Sequence, residues 1–449
     1  MGEPSKIWGV DSGYSMMMLE GLVRAVINKD GSASYKPVLA TSWKKLPDNK
    51  SWEFKIRKGV KFHDGTDLDA KAIKYCHDLL KDVHGTAMST TESIDVVDKY
   101  TVRYNLSKPD TMFFTNLTEA YAGIISPTHR ETKGVEFSSL NPVGTAPFKF
   151  VKYERDVVLV LKKFDDYWEK GLPYLDGVTN HFCKTPLIAQ AALESGTDHF
   201  MYRGKAKEAD ILKKKGFNIQ KAAAVLRMMT FDSKNPKSVF ANKKVREAMG
   251  YAVDRETYAE VLSYGYDEPC YQLAIKKVYA YNPAVKPRKY NPEKAKKLLA
   301  EAGYPNGFEC QLYGGGNMKN LWTAVQRDLG KIGVKAKVNL APPPKLNALR
   351  YKGGMPTNSI MSMHIANRPD FISGLDETLR STSPRLVQMH RTPGLDDLLK
   401  TAITAEDFAK KKEFTRKAVK LIQEDAMTIP IFMETVFWPN IYGNGILAY

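Results

Sequence analysis

The chain has 449 residues, of which 43% are hydrophobic and 11% aromatic, a composition that supports large buried cores and argues against disorder. Lysine and arginine number 67 against 50 aspartates and glutamates, and the net charge of +17 favours anionic partners or surfaces. The length predicts two or three domains, and because no run of about 18 apolar residues is present, no transmembrane helix is expected.

The positive charge does not by itself indicate a nucleic-acid-binding protein. The lysines are scattered, and the two short runs at 213–215 and 410–412 lie in predicted helices, where solvated faces explain them. The sequence has no zinc-finger spacing and no aromatic RNA-recognition motif. We therefore expect no nucleic-acid partner.

The first residues carry no secretion signal. Met1-Gly2-Glu3-Pro4 lacks the basic start and the apolar core of a signal peptide. Two interpretations stay open: a cytoplasmic protein, or a mature secreted chain that starts at an added Met.

The four cysteines show neither a CxxC pair nor the spacing of a metal site. One or two disulfides would fit an oxidising compartment, but Cys76 occupies a predicted buried helix position, where a small hydrophobe is the simpler interpretation. The cysteines are Cys76, Cys183, Cys270 and Cys310.

The most informative segment lies in the N-terminal quarter of the chain. Trp52, Phe54 and Ile56 alternate with charged residues, which predicts a strand with one buried face. His63-Asp64-Gly65 predicts a turn, because glycine adopts backbone angles that other residues resist. A helix over residues 68–80 is expected to follow.

The C-terminal half contains clear helix signals. Asn291 as cap, Pro292 in the first turn and Gly303 as stop predict one helix. A second helix is predicted over 319–332, and alternating apolar residues predict a strand over 334–340.

Two further signals are local. The proline run at 342–344 predicts a loop between elements. Thr404 is expected to cap a third helix, which would bury part of Phe408, Phe414, Leu421 and Ile422.

Together these segments resemble the dipeptide/oligopeptide/nickel-type solute-binding proteins, extracellular solute-binding family 5, which are capture subunits of ABC importers. The motifs follow the family order from about residue 21 to the C-terminus, although Ala146 replaces a glycine of the family's GTGPF. The matching segments are 37–66, 144–148, 166–168, 245–255, 295–308 and 429–431.

The resemblance implies an α/β, two-lobed periplasmic-binding-protein (flytrap) fold of the large type, with an extra domain inserted into the first lobe. The implied first lobe is discontinuous and the second is continuous. The expected bounds are 1–44, 146–238 and 428–449 for the first lobe, 45–145 for the insert, and 239–427 for the second lobe.

The resemblance also implies function. A small-molecule ligand binds between the lobes and passes to a membrane permease, and no bond is made or broken. We expect a monomer without a cofactor, located in the periplasm or outside the cell, and anchored to the membrane if lipidated.

One departure from the family motif bears on the ligand. Peptide-binding members carry Trp-x-x-Asp-x-x-Asp-Pro, whose first acid clamps the peptide amino group. Here Asn367 takes the place of that acid and His364 that of the Trp. An amide lacks the charge that an ammonium needs, whereas Arg368 favours a carboxylate or phosphate. We therefore expect an anionic or neutral ligand; the alternative is that Asn367 caps a loop and Arg368 is a surface charge.

Five further residues are candidates for the cleft. Phe231 and Asp232 end a predicted strand that enters it, and Asp232 would either bind a ligand cation or cap the following turn. Tyr14 and Met16 are expected on the first lobe's side, with core packing as the alternative for the methionine. Trp438 would be a cleft wall or part of the packing.

Metal binding and catalysis are the two alternatives to solute capture. Metal binding would draw on Met361, Met363 and His364, or on His77 and His84, but on a strand His364 faces away from the two methionines and no compact ligand motif exists. An enzyme would need a nucleophile and a base, and no GxSxG, P-loop or GxGxxG motif is present. We expect neither a metal site nor catalysis.

Overall fold

The structure, a computed structural model, describes residues 11–81, 88, 90–110, 112–366, 368 and 370–441. The chain divides into two compact units, one up to Lys184 and one from Thr185 onwards. No helix in the described ranges is long and apolar enough to cross a membrane. The division into a discontinuous lobe, an insert and a second lobe stays a prediction.

The first unit combines three small antiparallel sheets with short helices. The sheet orders are β1-β2, β3-β4-β6-β5 and β7-β8-β9. The strands are β1 Val23–Ile27, β2 Ala33–Pro37, β3 Ala40–Lys45, β4 Ser51–Ile56, β5 Thr91–Asp98, β6 Thr101–Leu106, β7 Phe148–Glu154, β8 Val158–Lys163 and β9 Gly177–His181; the helices are α1 Asp11–Ser15, α2 Ala70–Lys81, α3 Phe113–Leu117, α4 Pro127–Lys133 and α5 Val135–Leu140.

Strand β4 confirms the predicted alternation with one difference. Phe54 and Ile56 are buried, and the ring of Phe54 packs edge-on against Tyr104 at 5.4 Å. Glu53, which the alternation predicts to face solvent, is also buried. Its carboxylate pairs with Lys44 at 3.2 Å and Arg103 at 3.3 Å. Cross-strand cations explain why an acid is tolerated there.

Three motifs that are far apart in sequence meet at Glu20. The Glu20 carboxylate accepts hydrogen bonds from Thr145 Oγ1 at 2.9 Å, Tyr167 Oη at 2.7 Å and Trp168 Nε1 at 3.0 Å. Burial raises the pKa of Glu20, while the bonds from Trp168, Tyr167 and Thr145 act to lower it. The guanidinium of Arg57 stacks on the Trp168 ring at 4.1 Å. Glu20 therefore joins three separate segments of the first unit.

The His63-Asp64-Gly65 turn is a second junction in this unit. Gly65 has a φ of +85°, the left-handed conformation that glycine tolerates. The His63 ring accepts from the Gly144 amide at 3.3 Å and donates to the Ala146 carbonyl at 2.8 Å. The predicted turn is thus present, and it fixes the 144–146 segment beside it.

The second unit is built on one six-stranded mixed sheet of order β11-β15-β10-β14-β12-β13. The strands are β10 Asn218–Phe231, β11 Glu268–Pro269, β12 Glu309–Gly314, β13 Lys335–Leu340, β14 Ser359–Ala366 and β15 Ile429–Asn440; the helices are α6 Pro186–Glu194, α7 Ala206–Lys214, α8 Lys243–Ala252, α9 Arg255–Ser263, α10 Pro292–Glu301, α11 Lys319–Gly330, α12 Pro343–Tyr351, α13 Phe371–Leu379, α14 Leu395–Thr404 and α15 Phe408–Glu424.

The predicted elements of this unit are confirmed at α10, α11 and β13, and two predictions are wrong. The Asn291 side chain accepts from the Lys294 amide and caps α10 as expected. The cap of α15 is Asp407, because Thr404 is the last residue of the preceding helix. The proline run starts α12, with Pro343 in its first turn, where a missing N–H costs nothing.

Two buried arginines tie the helices of this unit to the start of β15. Arg255 is 1% exposed, and its guanidinium donates to the carbonyls of Pro430 at 2.7 Å and Gly250 at 3.0 Å. Burial lowers the pKa of Arg255 to about 10. Arg246 donates to the Ala426 carbonyl at 3.2 Å and pairs with Asp425. These contacts explain why the 245–255 segment carries two arginines.

We predict that Glu20→Gln destabilises the first unit. An amide offers one acceptor oxygen, so its NH₂ group would face at least one of the three donors and leave it unsatisfied. The free energy of unfolding should fall by about 1–3 kcal/mol, measured by denaturant titration with Trp fluorescence. Glu131→Gln, at an exposed position of α4, should leave it unchanged. Equal stability of wild type and Glu20→Gln would show that Glu20 does not hold the three motifs.

Candidate functional site

Strand β10 places an arginine between a histidine and an acid. Arg227 pairs in register with His364 of β14, and their Nη1 and Nδ1 atoms lie 3.4 Å apart. On the other side, Arg227 Nε and Nη2 contact Glu434 of β15 at 2.7 and 2.6 Å. The two antiparallel pairings therefore bring together residues that are 137 and 207 positions apart.

Two more arginines act on the same histidine. The pKa of His364 falls to about 4, first because surrounding groups partly dehydrate the imidazole and then through repulsion by Arg227, Arg350 and Arg385. Glu434 acts in the opposite direction. At neutral pH His364 is thus uncharged, and its ring can accept as well as donate a hydrogen bond.

The arginines outnumber the acids around this histidine. The Glu377 carboxylate pairs with Arg368 at 3.0 Å and also with Arg385. We call Arg227, Arg350, Arg368, Arg385 and His364 the cationic cluster. Among the described residues, Arg227 pairs with Glu434, and Arg368 and Arg385 both pair with Glu377, so the guanidinium groups outnumber these two carboxylates.

Arg350 is the least satisfied member of the cationic cluster. Its Nε is buried and has no hydrogen-bond partner, and no ion pair of Arg350 occurs among the described residues. A buried donor without a partner costs about 1–3 kcal/mol. A carboxylate or phosphate is the group that satisfies a guanidinium best, since two parallel bonds match its planar fork.

A fifth arginine fixes the loop that carries Arg385. Arg391 Nη2 donates to the Arg385 carbonyl at 2.9 Å and Nη1 to the Met389 carbonyl at 2.9 Å. The Leu386 amide in turn donates to the Arg350 carbonyl at 3.0 Å. Burial lowers the pKa of Arg391 to about 10. Arg391 thereby links Arg385 to Arg350 through the backbone.

Of the eight residues proposed from sequence, the structure brings two into this cluster, His364 and Arg368. Asn367 lies outside the described residues. Asp232 is buried at the other end of β14, about 17 Å from His364 by strand length. Its carboxylate accepts from Ser238 Oγ at 2.7 Å and the Ser359 amide at 3.0 Å, which are the contacts of a cap. A ligand role for Asp232 stays a prediction that these contacts do not favour.

The other four proposed residues lie elsewhere. Phe231 is 1% exposed and packs on Phe240 at 4.9 Å, so little of it is open to a solute. Trp438 of β15 pairs with Gln220 of β10, about 20 Å along the sheet from Arg227. Tyr14 and Met16 belong to the first unit, where Met16 is 55% exposed and Tyr14 packs on Phe182.

The residues weighed for metal binding do not converge. Met361 and Met363 are buried in the sheet, and His364 faces the other side, as alternation predicts. His77 is buried, contacts Tyr104 Oη at 2.6 Å, and has its pKa lowered to about 4 by burial; His84 lies outside the described residues. Within the described part of the chain, no three His, Cys, Asp or Glu residues could hold a metal ion, and none of the four cysteines forms a disulfide bond.

Sequence reasoning missed most of the cationic cluster. Arg227, Arg350, Arg385, Glu377 and Glu434 belong to no motif that was recognised. One signal was available: Arg227 lies between Leu226 and Met228 in an apolar run, where a charged residue calls for an explanation.

An acid beside the cluster completes its surroundings. Asp267 accepts from the Thr435 amide at 2.8 Å. Burial raises the pKa of Asp267 to about 7, and the nearby charge of Glu434 adds to the effect, while Arg227 opposes it. Asp267 therefore titrates close to neutral pH.

Residues 34–382 match the family described as bacterial extracellular solute-binding proteins, family 5 Middle. Among characterised proteins, the glutathione-binding protein GsiB of Shigella flexneri is 29% identical over 440 residues, which cover 94% of this chain and 85% of GsiB. GsiB of Escherichia coli K12 matches to the same extent.

Solved structures agree with the predicted fold. The periplasmic binding protein DppA of Helicobacter pylori, in complex with the peptide STSA, has a TM-score of 0.83 at 25% identity, covering 98% of this chain and 91% of DppA. AgaA of A. tumefaciens R10, in complex with agropinic acid, has a TM-score of 0.80 at 26% identity, with coverage of 96% and 89%. NikA of Brucella suis, in complex with Fe(III)-EDTA, has a TM-score of 0.86 at 22% identity, with coverage of 98% and 93%. The α/β two-lobed binding-protein fold is confirmed.

We predict that Asp267 makes the stability of the second unit fall as pH rises. Between about pH 4, where an unfolded aspartate ionises, and about pH 7, the folded chain keeps a proton that the unfolded chain has lost. A shift of about three pKa units, at about 1.4 kcal/mol per unit, should therefore decrease the free energy of unfolding by about 4 kcal/mol from pH 4 to pH 8, relative to Asp267→Asn. Denaturant titrations at both pH values measure the difference.

The control for this experiment is Asp397→Asn, at an exposed position of α14. It should keep the pH dependence of the wild type. If Asp267→Asn follows the wild-type curve at both pH values, Asp267 does not hold a proton in the folded chain.

Proposed function

Because the chain belongs to the bacterial extracellular solute-binding proteins of family 5, we propose that it is the capture subunit of an ABC importer. It takes up a small solute between its lobes, as the family does, and delivers that solute unchanged to a membrane permease. It acts as a monomer in the periplasm or outside the cell. The family match and the full-length relatives support this role over an enzymatic one.

The ligand is an anion, and the cationic cluster is the observation that carries this proposal. Four guanidinium groups lie with the Glu377 and Glu434 carboxylates, with Asp267 beside them. The buried Arg350 Nε has no hydrogen-bond partner among the described residues. An anionic group bound there would be attracted by these guanidinium groups without breaking any of the three ion pairs. It would also receive a hydrogen bond from Arg350 or from the neutral His364 ring.

Relatives with known ligands support the same class. GsiB is named for glutathione, which carries two carboxylates and one ammonium group and is a net anion at neutral pH, and AgaA was solved with agropinic acid. The second candidate is an oligopeptide receptor, since DppA was solved with a peptide. Asn367 argues against it, because an amide cannot pair with a free peptide ammonium as a carboxylate does.

Binding and transport are connected through lobe closure. A ligand stabilises the closed form only to the extent that it binds that form more tightly than the open one. Closure removes water from the polar contacts, which strengthens them. A surplus of arginine charge would therefore favour closure over an anion and disfavour closure over a cation.

We predict that Arg350→Gln weakens binding of an anionic ligand at least about tenfold, which corresponds to the loss of one hydrogen bond to a charged group. Native mass spectrometry of the purified protein identifies the co-purified solute, and calorimetry with glutathione and with that solute measures the change. Arg327→Gln, at an exposed position of α11, is the matched control and should bind as the wild type does.

Two results would contradict the proposal at different levels. Sub-micromolar binding of dipeptides with a free amino group, lost in Asn367→Ala, would overturn the anionic ligand but not the transport role. Turnover of the co-purified solute during incubation would overturn the transport role; recovery of unchanged solute at a 1:1 ratio supports it.

A further inference from the structure

A separate pocket lies wholly inside the first unit. Its volume is about 280 Å³, just below the range typical of ligand pockets. Apolar walls come from Val143 and Phe150. The polar lining residues are His63, Asp64, His129, Asn141, Lys149 and Lys162.

Two of these polar groups are lysines that face each other. Lys149 of β7 and Lys162 of β8 are direct cross-strand partners. Side chains in such pairs have Cβ atoms about 5 Å apart, and like charges there are destabilising. Neither lysine forms an ion pair within the described residues. The Lys149 ammonium instead lies 5.0 Å from the centre of the Phe164 ring, a contact that leaves its charge uncompensated.

The acid in the pocket forms no ion pair with either lysine among the described residues. Asp64 accepts hydrogen bonds from Ser126 Oγ and from the Thr66 hydroxyl and amide, so both of its oxygens already have neutral donors, and its single charge offsets the two lysine charges only in part. His63 supplies no charge at neutral pH, because burial, and then the nearby Lys149, lower its pKa to about 4. The pocket thus combines two ammonium groups with one carboxylate, two imidazole rings, one amide side chain and apolar walls.

We propose that this pocket is a second binding site of the chain, for a small organic carboxylate with an apolar body. The carboxylate lies between the Lys149 and Lys162 ammonium groups and removes their repulsion. The apolar body packs against Val143 and Phe150. The site lies within one unit, so it needs no lobe closure and does not rest on the proposed transport role.

The test uses benzoate as the probe and benzamide, its neutral analogue, as the control ligand. Lysine acetylation of the full-length wild-type chain is quantified by peptide mass spectrometry with each compound. Benzoate should lower the acetylation rates of Lys149 and Lys162 about threefold or more, as expected for charge-assisted contacts. Lys163, the next residue of β8, faces the other side of the strand and should be acetylated at an unchanged rate.

Calorimetry with benzoate then tests the two lysines, in an Arg350→Gln background that weakens the cationic cluster of the second unit. Lys149→Gln and Lys162→Gln should each raise the dissociation constant about fivefold, and Lys163→Gln should not. The proposal is overturned if benzoate protects neither lysine, if benzamide protects them equally, or if Lys163→Gln weakens binding as much. Because the footprint is read on wild-type protein, a variant that fails to fold leaves the test intact.

Discussion

The register of β10 between its two neighbours is the constraint on which the second unit depends. Main-chain hydrogen bonds run from β10 to β14 on one side and to β15 on the other. A slip by one residue would turn Arg227 to the opposite face and separate it from both His364 and Glu434. Leu226 and Met228 are at most 1% exposed, and a slip would turn these apolar side chains out of the core. A bulge in the pairing with β15, between Arg227 and Met228, locally re-aims the strand.

Much of the fold follows from local signals, because caps, glycine stops and apolar periodicity act over a few residues. Helix α10 could be predicted to its ends for this reason: Asn291 caps it and Gly303, with a φ of +91°, follows it. The same locality explains the errors. Thr404 and Asp407 are both good caps, and only the unpredicted α14, which ends at Thr404, decides between them. Prolines suit a loop and a first helical turn equally well.

From the sequence, residues of the candidate site could be predicted only where they lie within one recognisable motif. His364 and Arg368 were found because both lie inside the segment 364–371 that matches the family's ligand motif. Their partners could not be found, since Glu434 and Arg227 meet through a sheet that joins distant strands. Asp232 is an example of a residue whose sequence position was misleading. Its place at the end of an apolar strand suggests a ligand contact, but its carboxylate oxygens accept hydrogen bonds from Ser238 and from the backbone of β14.

The sharing of Glu377 between Arg368 and Arg385 bears on how salt affects binding at the proposed site. One carboxylate is shared by two guanidinium groups, and the fold holds these three side chains together. If the ligand is an anion, as proposed, these guanidinium groups would attract it. Chloride and other counterions are attracted to the same guanidinium groups. They screen the arginine charges over a Debye length of about 8 Å at physiological ionic strength. For an anionic solute, the apparent affinity would therefore fall as the salt concentration around the protein rises.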